Sequence, residues 1–398
     1  MALVLAACGG GDSGTSEPVA ATEDDTSEPE SPGDEDGDAD ATDACDAITA
    51  TQASEIYAEL AQIEYEERLA CIERRAEEEG QVIIYSSRDA DMLEAWQADW
   101  SELYPNITME YLSAQPEVLY ERLIQEGRGD VATADVVQMG EELKLLGDDG
   151  HLATLHGATV PADFPDHAHG DWFMSFGPSP LLLTWNTDLV SADEAPQTWE
   201  DLLDPKWKGK VAIDTGATHF VKTLVGRWGE DEARDYLDKL VNDNDAIIRR
   251  GHTNITNMLM AGEFPVAAEL YGHRTERMIH ERGAPLDWIA PDPTPTGSGG
   301  FGIAATAPRP YAAALLAHYM TGPRGGQIWA EDGRLHMHPD VEPMFPRVAE
   351  LIGDERLFAA NPDQGHEELE IAQRLINEII VPAYAGEDGE LEEGGSDG

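Results

Sequence analysis

Residues 81–89 read Gln-Val-Ile-Ile-Tyr-Ser-Ser-Arg-Asp, directly behind Gly80. Val82, Ile83 and Ile84 are a short apolar run of the kind that fills a buried strand, and Gly80 stops the helix before it. Ser86, Ser87, Arg88 and Asp89 turn the chain, and a Ser or Asp there can cap the helix that carries Met92, Leu93 and Trp96. Tyr104-Pro105 ends that helix. Ile107 to Leu112 reads as a second strand, Val118 to Glu126 as a helix, and Gly127 and Gly129 lead to a third strand over Ala134 to Met139. This alternation predicts an α/β fold, a parallel sheet with helices on both faces. Ligands of such sheets sit beyond the carboxyl ends of the strands, beside helix N-termini. The turns Ser86–Asp89, Ser113–Gln115 and Gln138–Gly140 therefore share one edge, which is the candidate site.

Upstream, Ile56, Leu60, Ile63, Leu69 and Ile72 fall at three- and four-residue spacings, predicting helix over 52–79. Downstream the pattern restarts. Strands are expected at Leu181–Asn186, Lys210–Asp214 and Pro265–Tyr271. Helices are expected near Thr198–Leu203, over His219–Trp228 behind the turn Thr215–Thr218, at Asp231–Asn242 and around Asn254–Ala261. Residues 291–300 have the composition of a linker. Gly302 to Thr306 reads as a return strand, Tyr311 to Met320 as an apolar helix, and Glu367 to Ile379 as the last helix.

The 398 residues hold 79 acids against 25 bases, a formal charge of −54, and 41% are hydrophobic. That hydrophobic content supports two to three folded domains. So negative a surface repels phosphate backbones and excludes nucleic acid as a partner. It also stays hydrated at high salt, so a saline habitat and an acidic lineage composition both account for it. No apolar run reaches 18 residues, the length a membrane-spanning helix needs.

Residues 1–45 carry 13 acids and no Lys or Arg. Met1-Ala-Leu-Val-Leu-Ala-Ala-Cys8 resembles the end of a bacterial lipoprotein signal, in which small residues precede a cysteine that takes the lipid. The basic and apolar regions of such a signal are cut short here, which implies a start upstream of Met1. Residues 9–45 have little to bury and read as a disordered acidic tether, 46–80 as a helical segment, and 386–398 as a disordered acidic tail. Cys45 and Cys71 are the other cysteines; outside the cytoplasm such a pair reads as a disulfide, worth about 3 kcal/mol for a loop of this length.

Several strings with chemical meaning fail on context. Gly297-x-Gly299-x-x-Gly302 enters a strand, so no helix N-terminus awaits a pyrophosphate. His167-Ala-His169 and His336-Met-His338 lack a Cys or Glu at zinc-ligand spacing and read as loop histidines.

The stretch Asn186-Thr-Asp-Leu-Val190, Ala195-Pro-Gln-Thr-Trp-Glu-Asp-Leu-Leu203 and Asp204-Pro-Lys-Trp-Lys-Gly-Lys210 resembles the extracellular solute-binding proteins of ABC importers, in their ferric-iron-binding-like branch. Supporting pieces run from Glu77–Ser87 to Ala307-Pro308 and cover most of residues 55–345. The resemblance implies a two-lobed, type II periplasmic-binding-protein-like fold with hinge strands and a ligand cleft. Lobe 1 takes 81–183 with 299–338, and lobe 2 takes 184–298 with 339–385. The chain would leave lobe 1 on the strand ending at Trp185-Asn186 and return through 297–302. Trp199 and Trp207 would pack lobe 2 around the Asp204-Pro205 turn. It implies a non-enzymatic, monomeric receptor, lipid-anchored at Cys8 to the outer face of the cytoplasmic membrane or periplasmic, serving an ABC permease and its ATPase.

For the ligand two readings stay open. Ferric-binding relatives use adjacent tyrosines and a synergistic anion; only Tyr271 of Leu270-Tyr271 matches, with Asp89 in the first-loop position. Alternatively Ser86, Ser87, Arg88, Gln138, Thr215 and Thr218 cradle an organic or anionic solute at helix N-termini. His252, Thr253, Asn254 and His273 are further cleft candidates. Competing classes are a sensory binding protein signalling to a membrane kinase and an extracellular metal-dependent hydrolase built on the histidine pairs.

Overall fold

The computed structural model describes residues 41–129, 131–140, 142–165, 168–359 and 366–388. Cys8 and the tether to residue 40, His167 and the tail from 389 lie outside the described residues. The first half of the chain runs α1 (Ala41–Asp46), α2 (Ala53–Leu60), α3 (Tyr65–Glu79), β1 (Gln81–Ser86), α4 (Ala90–Leu103), β2 (Thr108–Ser113), α5 (Pro116–Arg128), β3 (Val136–Met139), α6 (Glu142–Asp148) and β4 (Met174–Asn186). Then come β5 (Val211–Asp214), α7 (Thr218–Trp228), α8 (Glu230–Asp238), β6 (Ile247–Arg249), α9 (His252–Ala261), β7 (Val266–Tyr271), α10 (Gly272–Arg282) and β8 (Leu286–Ile289). β9 (Thr294–Ile303), α11 (Pro310–Thr321), α12 (Pro323–Glu331), α13 (Pro346–Ala349), β10 (Leu357–Ala359), α14 (His366–Leu375) and α15 (Val381–Asp388) complete it. No helix among the described residues is long and apolar enough to cross a membrane.

β1 pairs in parallel with β2 and β3, and β5 in parallel with β6 and β7. Between these two parallel halves run β4 and β9, antiparallel to each other from Met174↔Phe301 to Pro180↔Thr296. Beyond Pro180, β4 pairs with β7 (Leu181↔Tyr271) and β8. In the other direction β9 continues to β3, from Met139↔Gly300 to Val136↔Ile303. Each of these strands thus belongs to both halves.

Each half has its own core. Trp96, Trp100, Phe176, Phe301 and Trp329 centre the first, with Phe176 stacked on Trp329 at 4.1 Å. Trp199, Phe220 and Ile248 centre one face of the second half; Ile255, Leu259 and Phe264 lie in a cluster of their own. Trp199 donates its indole N–H to the Pro293 carbonyl at 2.7 Å, and Trp207 is buried over the Asp204 turn, where Asp204 Oδ1 accepts from Lys206 N–H at 2.8 Å. A Cys45–Cys71 disulfide, with Cα atoms 5.5 Å apart, joins α1 to α3.

Several elements depart from the sequence expectation. The helix expected over 52–79 breaks at 61–64, because α2 and α3 have separate anchors: the Tyr57 hydroxyl donates to the Pro310 carbonyl at 2.7 Å, and Tyr65 meets His318 Nε2 at 2.7 Å. Helix α1 lies within the stretch read as tether, and α15 runs three residues past Ala385. Most of the supposed linker at 291–300 is β9. Its glycines are there for closeness: a Cβ at Gly300 would stand 3.0 Å from the Met174 carbonyl oxygen, and one at Gly302 would stand 2.9 Å from that of Trp172. The sequence expectation has no counterpart to helices α10 and α12 or strand β8; α10 is polar over most of its length and buries Gly272, Thr275, Glu276 and Met278.

Gly177 sits in β4 at a register shift, with φ of 156°. A Cβ there would fall 2.6 Å from the Leu335 carbonyl oxygen. Gly177→Ala is expected to cost about 1–3 kcal/mol of unfolding free energy, the range for overpacking, measured by urea denaturation. A change within about 0.5 kcal/mol, the range of a neutral surface substitution, would show that the crossing tolerates separation.

Candidate functional site

The turn after β1 is held by backbone and buried polar contacts. Ser86 is fully buried, and its hydroxyl donates to Gln138 Oε1 at 2.6 Å while accepting the Arg88 N–H at 3.1 Å. Ser87 N–H bonds the Gln138 carbonyl at 3.0 Å, and Ser113 Oγ donates to the Arg88 carbonyl at 2.7 Å. Ser86 and Gln138 therefore build the turn from beneath. Asp89 is the N-cap residue of α4 but its side chain makes no capping hydrogen bond, so the expected cap is not formed; the Ser86–Arg88 bond holds the turn before the helix.

Beside the turn lies a cleft of about 280 Å³, lined by Ser87, Arg88, Asp89, Asp91 and Met92, by Arg277 of α10, and by Asp332 and Arg334. Asp332 receives both Arg277, at 3.1 Å, and Arg334, at 2.8 Å. Arg88 forms no ion pair among the described residues: its Nε is buried without a partner, and Nη2 reaches only Ser87 Oγ at 3.4 Å. Burial, and then the neighbouring Arg334, pull its guanidinium down to about 10.

Tyr271 closes β7, its ring between His252 (centroids 4.9 Å) and His273 (5.4 Å). Burial and then the Glu269 charge push the phenol up to about 12, against the pull of Arg334 and Arg88. His273 is driven well below the usual imidazole range by burial and by Arg334, Arg277, Arg88 and Arg274, so it is neutral at pH 7. Behind the rings, His252 Nε2 meets Glu269 Oε2 at 2.8 Å, and Glu269 Oε1 accepts Asp214 N–H at 3.2 Å. Burial pulls the His252 imidazolium down, but Glu269 outweighs it and lifts the group to about 9.

Of the residues read from sequence, Ser87, Arg88 and Asp89 line the cleft, and Tyr271 lies within the field of its arginines. Thr215 and Thr218 stand half-buried where α7 begins, with no hydrogen bond to the Arg88 turn. Arg277, Asp332, Arg334 and the Glu269–Asp214 relay carried no sequence signal, since single charged residues in charged surroundings stand out by nothing. The His336/His338 pair, expected to be solvated loop histidines, is instead buried and turned to structure. His338 Nδ1 accepts Asp340 N–H and His336 Nδ1 accepts His338 N–H, each at 3.2 Å. His338 Nε2 meets Asp163 Oδ1 at 3.2 Å, so both of its ring nitrogens are engaged.

The sequence profile of the bacterial extracellular solute-binding proteins matches residues 92–346, and the chain belongs to that family. Among curated relatives, it is 27% identical over 159 residues to iron uptake protein A1 of Synechocystis sp., covering 37% of this chain and 41% of the relative. It is 22% identical over 187 residues to the Fe(3+)-binding periplasmic protein of Serratia marcescens, covering 46% and 54%. The chain thus spans about half the length of these relatives. Iron-bound HitA from Pseudomonas aeruginosa superposes with a TM-score of 0.63 at 18% identity, covering 75% of this chain and 99% of HitA. The Atu4243–GABA receptor superposes with 0.62 at 16%, covering 79% and 100%. The fold is that of the two-lobed type II periplasmic binding proteins.

The raised His252 contributes stability that is complete below about 6.5, its ordinary value, and is lost as pH rises through about 9. The thermal midpoint is expected to fall between pH 7 and pH 10, with a slope bounded by one proton, about 1.4 kcal/mol per pH unit. His252→Gln should flatten that slope in a melting series; an unchanged slope would place the proton elsewhere.

Proposed function

We propose that this protein is the solute receptor of an ABC importer, binding a small solute between its lobes and presenting the closed form to a membrane permease and its ATPase. The observation that carries this reading is the crossing of β4 and β9 between the two halves, together with a polar cleft lined by Arg88 from one half and Arg277 from the other. Two covalent crossings in one sheet permit bending about a line while forbidding separation, which is hinge closure. A ligand touching both walls binds the closed state better, and that difference is what a permease reads. In this reading lobe 1 is 81–183 with 299–338, and lobe 2 is 184–298 with 339–385. Cys8 carries the lipid that holds a monomer outside the cell, and no step makes or breaks a bond.

Ferric iron with a synergistic anion is the second reading. It is favoured by the names of the relatives and by Tyr271, a phenol at the end of β7. Native mass spectrometry of the protein as purified, with a thermal-shift panel of Fe³⁺ with carbonate, phosphonates, polyamines and thiamine, tests the receptor reading. A retained mass or a shift of several degrees with one class is expected, and no shift with any class counts against it. If the cargo is iron, loading produces a visible tyrosinate-to-iron band that Tyr271→Phe abolishes; a colourless Fe³⁺-treated protein with no shift dismisses the metal.

A further inference from the structure

The polar groups left over at the cleft have one chemical character. Arg277 and Arg334 share Asp332, but Arg88 has no carboxylate, and its buried Nε is unpartnered. Gln138, also fully buried, has an unpartnered Nε2, and Ser86 Oγ joins it to the Arg88 backbone. Burying a donor without an acceptor is unfavourable, most of all for a charged group. Tyr271 and His273 form no hydrogen bond among the described residues, and both lie in the field of Arg88 and Arg334. A phenol, a guanidinium and a primary amide offer N–H or O–H, and the neutral imidazole adds one more donor. Asp89 and Asp91 also line the cleft, but the buried atoms left without a partner, Arg88 Nε and Gln138 Nε2, are donors, and an acceptor-rich ligand answers them.

Resting on the receptor reading, we infer that the cargo is a small oxyanion, a carboxylate, phosphonate or phosphate, docked on Arg88 of lobe 1 and reached across the cleft by the Tyr271 hydroxyl. The guanidinium offers a carboxylate or phosphate paired N–H groups, and the anion supplies the countercharge that Arg88 lacks. A bare ferric ion fits the same groups poorly. It requires a phenolate, whereas Tyr271 keeps its proton with Glu269 behind it, and it would sit among arginines that repel it. Leu270 fills the place of a second tyrosine and is buried. The volume, about 280 Å³, lies at the small end for ligand pockets and suits a solute of a few carbons.

The test is calorimetric titration of the full chain with acetate, succinate, methylphosphonate and inorganic phosphate, beside spermidine and Fe³⁺–nitrilotriacetate. At least one oxyanion is expected to bind. Arg88→Gln should weaken it by about 30-fold or more, as for loss of one partner of a buried charge pair. Tyr271→Phe should weaken it by about 5-fold, the scale of a single hydrogen bond. Arg347→Gln, at a cation–π contact with Trp288 and not in the cleft lining, should leave affinity unchanged, and circular dichroism checks that each variant folds. Binding of spermidine or iron with none of the oxyanions overturns the inference and leaves the receptor reading intact. Oxyanion binding indifferent to Arg88→Gln overturns the docking residue, and silence from every ligand removes both readings.

Discussion

Between Met174 and Pro180 the backbone of β4 exchanges hydrogen bonds with β9 from Phe301 back to Thr296, and both strands then diverge into different halves of the molecule. Two halves that share two paired strands cannot drift apart, yet the pair can bend. The glycines of β9 and Gly177 of β4 let backbone meet backbone and ring at 2.6–3.1 Å from where a side chain would begin. Phe176 and Phe301, one from each crossing strand, then anchor both into the Trp96–Trp329 stack. The cleft is located by this arrangement, since the carboxyl end of β1 and the end of β7 are both brought to its mouth.

Electrostatics at the cleft runs against the rest of the chain. In a protein of formal charge −54, Arg88, Arg274, Arg277 and Arg334 act together on one buried imidazole, while Asp89 and Asp91 also line the cleft. Asp332 serves two arginines, and Glu269 is occupied by His252 and the Asp214 backbone. Burial and field together set the protonation of the groups: the phenol keeps its proton, the His273 ring is neutral, and the His252–Glu269 pair retains one proton past neutrality. The long-range field of so acidic a surface repels anions, but it is screened within about 8–10 Å at ordinary salt, so local pairing decides capture.

Much of the first half was legible because its periods are strong. The apolar run 82–84 and the αL cap at Gly80 mark β1, and the helix–strand alternation marks a parallel sheet. The turn Ser86–Asp89 was legible as a strand-end loop, and three of its residues line the cleft. Composition misled at 291–300, where Gly and Ser mean close strand approach instead of slack chain. It was silent at α10, which is polar over most of its length and whose Arg277 lines the cleft.

The order of residues alone determined the α/β class, the strand-end turn that lines the cleft, and the presence of Arg88 and Tyr271 beside strand ends, because these follow from local periods of two and 3.6 and from turn chemistry. Tertiary structure alone decided which groups meet. Residue 88, residues 271 and 277, and residues 332 and 334 come from three stretches of the chain; the Asp332–Arg334 pair is local, but nothing local specifies that Arg277 joins it while Arg88 forms no ion pair among the described residues. Burial did the rest, since it removes the water that would otherwise satisfy each donor, and burial is a property of the packed sheet and not of any one segment.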